Sequence, residues 1–213
     1  MTITETLEMA ARVMKSLQQV GVVGAEGGAQ ALSDMLAQPV ELSVPTVSMI
    51  PLIDLPHLYP PMDLERLCVA VYVPFSGDAD GSIALLLREH QAAGMLQSIG
   101  LPPAGPGELD EMQQSALREI GNIVASAYLN ALANVGEMQI LPEPPGLAQE
   151  TVAAVLGAIA AQAMQYDEYG LVMNVHMSLP NQSITPEMLL LPRPTGLATI
   201  LKRIGGWPDE KAA

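Results

Sequence analysis

The sequence predicts an α+β fold in which two long helices pack against a mostly antiparallel sheet. Two stretches have apolar residues at helical spacing, one beginning near Thr4 and one following Asp110. Other segments alternate apolar and polar residues with the period of two that is typical of strands. Both patterns occur in each half of the chain. This indicates two repeats, each with one long helix and about three strands.

The chain has 213 residues and a formal net charge of −14, with 9 Lys and Arg against 23 Asp and Glu. This length suits one well-filled domain, which we assign to residues 1–213. The acidic balance disfavours nucleic acid and anionic membrane surfaces, because binding to either depends on Lys and Arg. One cysteine, three scattered histidines and the lack of a signal peptide or membrane-spanning run predict a cytoplasmic protein without a metal site of its own.

A Pro/Gly cluster at residues 102–107 divides the chain near its midpoint. With an offset of 100 positions, residues of the two halves match in the same order: Gly21 with Gly121, Ala25 with Ala125, Ala31-Leu32 with Ala131-Leu132, and Pro45 with Pro145. We therefore predict repeat 1 at about 3–101, repeat 2 at about 108–205 and a loose tail at 206–213. A pseudo-twofold axis then relates the repeats within a monomer.

Each repeat is predicted to begin with its long helix. In repeat 1 the apolar positions are Leu7, Ala10, Met14 and Leu17. In repeat 2 Asp110 can cap the first turn and Gln113 can reach back to it. The apolar face that we expect to pack on the core consists of Met112, Ala116, Ile120, Ile123 and Ala127.

Strands are predicted to follow both helices. Residues 67–75 and 82–88 form a hairpin, because the Gly- and Asp-rich residues 77–81 between them tolerate a turn with positive φ. In repeat 2 a short helix at about 150–165 precedes a half-buried strand. The inward positions of that strand are Leu171, Met173, Val175 and Met177.

Three polar features outside the long helices have simple structural interpretations. Asp78 and Asp80 resemble the start of a calcium loop, but the apolar segment after them lacks the remaining oxygen ligands, so a hairpin turn is favoured. His176 has no acid or nucleophile beside it in the sequence. Cys68 lies within an apolar strand and is expected to be buried and unreactive.

The second long helix carries one polar stripe beside its apolar face. Its residues Ser115, Glu119, Asn122 and Ser126 fall at i, i+4, i+7 and i+11. Gly121 is expected to keep the neighbouring surface low, so that another protein can approach the stripe. Spacing alone does not distinguish such a stripe from an ordinary solvated helix face.

Residues 108–135, ELDEMQQSALREIGNIVASAYLNALANV, closely resemble the signature helix of the CheC family of chemotaxis phosphatases. The segment 119–122 matches the family's E-I-G-N letter for letter, and residues 128–132 are also similar to the family. The resemblance extends over the whole chain, with residues 31–45 similar to the family's first repeat. It implies a CheC-like fold built from two repeats.

The resemblance implies a function: dephosphorylation of CheY, the receiver protein that carries the chemotaxis signal. Asn122 would orient the attacking water, and Glu119 would accept a hydrogen bond from the receiver's lysine. The chain would need no cofactor of its own, because the Mg²⁺ belongs to the receiver's acidic site. The resemblance also implies CheD as a binding partner.

The first repeat departs from the family's motif. The same offset places Gln19 at the position of Glu119 and Val22 at the position of Asn122, so we predict one active site. Two other interpretations stay open: a non-catalytic adaptor that binds CheD or a flagellar-switch component, and a small-molecule binding domain, for which the sequence offers no convergent polar set. The intact Glu119 and Asn122 favour the phosphatase.

Overall fold

The computed structural model describes residues 3–103, 108–163, 169–179 and 182–205. The helices are α1 (Ile3–Leu36), α2 (Pro61–Leu64), α3 (Glu89–Ser98), α4 (Glu111–Gly136), α5 (Val152–Ala163) and α6 (Pro194–Gly205), with a 3₁₀ segment, η1 (Leu52–Leu58). The strands are β1 (Glu41–Pro51), β2 (Leu67–Gly77), β3 (Gly81–Arg88), β4 (Ile140–Pro142), β5 (Gly146–Thr151), β6 (Tyr169–Leu179), β7 (Gln182–Ile184) and β8 (Glu187–Pro192). The predicted tail at 206–213 lies outside the described residues.

The strands form one sheet, and every strand pairing within the described residues is antiparallel. Its order is β1-β6-β8-β3-β2-β4, with β5 also paired to β2 and β7 to β6. The predicted hairpin is β2–β3, in which Val71 pairs with Leu85 and Phe75 with Gly81. The predicted α+β class with a mostly antiparallel sheet is confirmed.

Helical segments cover the sheet on both faces. On one face α1 packs over β1, and α4 packs over β2, whose alternate residues Val69, Val71 and Val73 belong to that core. The intervening residues Cys68 and Ala70 face a second core beneath η1 and α5. The helix α5 confirms the short helix predicted at about 150–165. The long helices α1 and α4 are confirmed as well.

The coverage of both faces corrects one strand prediction. The residues expected to point inward from β6, including Met173 and Val175, are buried. Val172 is also buried, because its side of the sheet lies under the second core and not in solvent. The half-buried pattern holds only from Asn174 onward, where His176 is exposed.

The order of the strands is compatible with the predicted duplication. Exchanging β1 with β5, β6 with β2 and β8 with β3 leaves the order of the sheet unchanged. Burial along the long helices agrees at the offset of 100 positions, since these four pairs are all buried: Leu17 and Leu117, Val20 and Ile120, Ala25 and Ala125, Leu32 and Leu132. These regularities support the two repeats, whose bounds stay a prediction.

Three α-helices were not predicted, namely the four-residue α2 and the longer α3 and α6. Both α3 and α6 directly follow the last strand of their half of the chain, and they bury Met95, Leu96 and Ile200.

Within the described ranges no helix combines the length and apolar character needed to cross a membrane.

Candidate functional site

The first turn of α4 is fixed by the predicted capping box. The Asp110 carboxylate accepts a hydrogen bond from the Gln113 backbone N–H at 2.8 Å, and the Gln113 side-chain carbonyl accepts one from the Asp110 N–H at 3.0 Å. The Gln113 amide also donates to the Pro102 carbonyl at 3.2 Å, which ties the segment before the helix to its start. These contacts fix the residue at which α4 begins and satisfy the backbone N–H groups of its first turn.

The core-facing side of α4 differs from the prediction. Only Ile120 of the expected face is fully buried, whereas Met112 is 66% exposed and Ala116, Ile123 and Ala127 are partly exposed. The buried side consists of Leu117, Ile120, Gly121, Val124, Ala125, Tyr128, Leu129, Ala131 and Leu132. The helix has apolar residues on two adjacent sides, and the side that contains the glycine lies on the sheet.

Gly121 explains why this side of α4 packs on the sheet. A Cβ atom at this position would lie 2.5 Å from Cγ1 of Val71, so only glycine allows α4 to approach β2 this closely. The expectation that Gly121 lowers the exposed surface is wrong, because the residue is buried against the sheet. Its effect is to hold the turn that carries Glu119 and Asn122 close to β2.

We expect the Gly121→Ala variant to be less stable than the wild type. The overlap with Val71 costs about 1–3 kcal/mol, which outweighs a gain in helix propensity of up to about 1 kcal/mol. Gly157→Ala on α5 is the matched control, because an added Cβ there meets nothing within 4 Å. Urea unfolding should rank Gly157→Ala above the wild type and Gly121→Ala below it. Equal stability of the two variants would contradict the close approach.

Glu119 and Asn122 lie one turn apart on the accessible side of α4. Glu119 is exposed, and Asn122 is half-buried. Neither side chain forms a hydrogen bond or an ion pair with another described residue. Neighbours at this spacing have Cβ atoms about 5–6 Å apart, so one partner protein can contact both groups at once.

Each of the two side chains lies in its own surface depression. The Glu119 depression lies between the ends of α1 and α3 and the first turns of α4, and its lining is Met35, Leu36, Ile99, Met112, Ser115, Ala116 and Glu119. The Asn122 groove runs between α1 and α4, and its lining is Val23, Gly27, Ala31, Asn122, Ile123, Ser126, Ala127, Asn130, Ala131 and Asn134. The predicted stripe is therefore divided, with Ser115 and Glu119 in the depression and Asn122 and Ser126 in the groove.

The groove contains two amides that the sequence interpretation left out. Asn130 and Asn134 continue the row of Asn122 and Ser126 at intervals of four residues, and all four line the groove. That spacing is visible in the sequence and was sufficient to find them. The contributions of α1 and α3 could not be found in this way, because they come from distant parts of the chain.

The equivalent positions of the first helix lack the polar pair. Gln19 is exposed, and Val22 is 53% exposed to solvent. Gly24 on the same helix packs against the ring of Tyr128. A Cβ atom at position 24 would lie 2.5 Å from Cδ1 of Tyr128. The small residue thus lets α1 pack closely against the helix that carries Glu119 and Asn122.

The other polar features have structural partners. The Asp78 carboxylate accepts a hydrogen bond from the Gln139 backbone N–H at 2.9 Å, and Asp80 pairs with Arg193 at 3.3 Å. Among the described residues no group of His, Cys, Asp and Glu has the arrangement of a metal site. Burial raises the pKa of the Cys68 thiol to about 11, in keeping with an unreactive side chain.

One partly buried ionic cluster lies on the face of the sheet opposite α4. Glu187 of β8 pairs with Arg88 at 3.7 Å, and the Arg88 guanidinium carbon lies 5.9 Å from the centre of the Tyr59 ring. Burial raises the pKa of the Glu187 carboxyl, and the charge of Arg88 opposes that shift. The cluster joins the segment after η1 to the ends of β3 and β8 and is remote from Glu119.

Known proteins resemble this chain in sequence. The sequence model of the CheC-like family matches residues 112–148, a segment that contains both Glu119 and Asn122. The CheY-P phosphatase CheC of Bacillus subtilis is 27% identical over 184 residues, which cover 84% of this chain and 87% of the relative. The putative CheY-P phosphatase CheC1 of Halobacterium salinarum is 28% identical over 128 residues, covering 58% and 62%. The resemblance to the CheC-like family is confirmed.

Solved structures share the fold. FliY of Thermotoga maritima superposes with a TM-score of 0.72 at 15% identity, covering 91% of this chain and 96% of that one. A chain of the FliG–FliM complex of H. pylori gives a TM-score of 0.65 at 14% identity, covering 89% and 97%. At such low identity the likeness shows the architecture alone.

Proposed function

We propose that this chain is a phosphatase that accelerates hydrolysis of the aspartyl phosphate of a CheY-type receiver. One observation carries the proposal: a carboxylate and a carboxamide stand one turn apart on the accessible side of α4, and neither has a partner among the described residues. The naming of two relatives as CheY-P phosphatases supports the same activity.

The proposed reaction needs no nucleophile from this chain. A water oxygen attacks the phosphorus, the bond between phosphorus and the receiver's aspartate oxygen breaks, and inorganic phosphate leaves with the aspartate restored as a carboxylate. The Asn122 carboxamide can both donate and accept hydrogen bonds, so it can hold the water in line with the breaking bond. Its half-buried position limits the directions in which it can point.

Glu119 has a different role, which is to bind the receiver. Its exposed carboxylate accepts a hydrogen bond from the receiver's lysine and so places α4 over the phosphorylated pocket. The metal ion of the reaction is the receiver's Mg²⁺, which neutralises charge on the phosphoryl group. In this proposal the chain acts as a monomer with one active site, in the cytoplasm. CheD enters as a further binding partner, with no residue assigned to it.

The proposal is tested by following the decay of a phosphorylated CheY-type receiver with and without this protein. We expect release of inorganic phosphate to be faster by a factor on the order of 10² at saturating protein. If the decay rate is unchanged while the receiver still binds, the chain is an adaptor and the proposed activity is wrong.

A further inference from the structure

An apolar surface surrounds Glu119. Five of the seven residues that line the Glu119 depression are apolar, and they come from the end of α1, the residue after α3 and the first turns of α4. Met112 is 66% exposed and Met35 is 40% exposed. Large apolar side chains this exposed, grouped around a single carboxylate, are typical of a surface that another protein covers.

The net charge of the chain does not attract its proposed partner. Its formal net charge is −14, and in the proposed function the receiver holds Mg²⁺ in an acidic pocket. Long-range fields therefore oppose the encounter, and the free energy of binding has to come from short-range contacts. Removal of apolar surface from water supplies such a contact independently of net charge.

The position of the depression decides what can cover it. Glu119 is part of its lining, so a protein that brings a lysine to Glu119 must also lie over Met35 and Met112. On the other side of Glu119, the Asn122 groove contains Val23 and Ile123 among small residues and amides, so it offers some apolar area as well. The depression differs from the groove in its two exposed methionines, which line the same depression as the Glu119 carboxylate.

We propose that the Glu119 depression docks an apolar patch that lies beside the active-site lysine on the phosphorylated receiver, with Met35 and Met112 as its contacts. This inference rests on the proposed function and names the surface that gives the receiver its affinity. Methionine side chains are unbranched and polarisable, so the same depression adapts to receivers whose apolar side chains differ in shape.

The test compares Met112→Gln and Met35→Gln with Met62→Gln as the matched control. Met62 is 73% exposed and lies on α2, which contacts α5 on the opposite face of the sheet. Glutamine keeps the length of the side chain and suits a helix, so the fold should be retained. Thermal unfolding of each variant checks this.

We expect Met112→Gln to raise the KM for the phosphorylated receiver by about 5- to 10-fold and to leave kcat unchanged, because the lost apolar contact does not touch the water or the phosphate. Met35→Gln should act in the same direction, with a smaller effect. Titration with a receiver carrying beryllofluoride in place of the phosphoryl group should show the same loss of affinity.

The outcomes separate the docking surface from the activity. Wild-type KM and affinity in both Met112→Gln and Met35→Gln would overturn the docking surface and leave the phosphatase standing. Equal losses in Met62→Gln would also overturn it. If the wild type does not accelerate phosphate loss, yet Met112→Gln weakens binding of the beryllofluoride-loaded receiver, the docking surface stands and the phosphatase falls.

Discussion

We expect the Asn122→Ala variant to dephosphorylate the receiver no faster than the receiver does alone, a fall in kcat on the order of 10²-fold. Alanine keeps the helix but removes the carboxamide, and the other amides of the Asn122 groove lie two and three turns further along α4. The lining of the Glu119 depression includes no carboxamide that could take over the water. Phosphate release at saturating variant measures the effect.

The Gln19→Ala variant is the matched control for Asn122→Ala. Gln19 lies on the equivalent turn of α1 and carries an exposed amide, but the position that corresponds to Asn122 is Val22. We therefore expect near-normal activity. Accelerated phosphate loss that survives in Asn122→Ala would show that this amide does not position the water, even if the chain remains a phosphatase.

The elements that local pattern determines were predicted correctly from the sequence. The capping box at Asp110 and Gln113 involves residues three apart, so its geometry is visible in the letters. The hairpin between β2 and β3 follows from a Gly- and Asp-rich turn, in which Gly77 and Gly81 have positive φ. Both signals act within a few residues and need no tertiary partner.

The elements that depend on distant contacts were not predicted. Which side of α4 faces the sheet follows from the fit of Gly121 against Val71. These residues are 50 positions apart, and the sequence shows no sign of their contact. The Glu119 depression likewise combines residues of α1, α4 and the segment after α3. Periodicity along one helix gives two adjacent apolar sides equal weight, and only packing separates them.

The apolar residues of α4 have two roles: some pack against the sheet, and others remain accessible to a partner. Those on the glycine side, such as Leu117 and Val124, are removed from water by the sheet. Those on the adjacent side, such as Met112 and Ile123, remain accessible around Glu119 and Asn122. A helix with a single narrow apolar stripe could hold the polar pair in place but would offer a partner little apolar area beside it.

We expect the Glu119→Lys variant to bind the phosphorylated receiver more weakly, because a like charge then faces the receiver's lysine. The KM should rise by about 10- to 100-fold. Glu119→Gln keeps a hydrogen-bond acceptor and should lose less affinity. Glu65→Lys is the control for overall charge: it is exposed at the end of α2, and each reversal changes the formal net charge from −14 to −12.

The comparison of the two lysine variants decides between local pairing and long-range repulsion. If two acidic proteins merely repel each other, both variants should bind the receiver slightly better than the wild type, and the gain should disappear at high salt. If Glu119 pairs with a lysine, only Glu119→Lys should weaken binding, and added salt should restore little of it because the pair is covered in the complex. Equal KM values for Glu119→Lys and Glu65→Lys would mean that Glu119 does not contact the receiver, and α4 would then have to meet it through Asn122 and the groove alone.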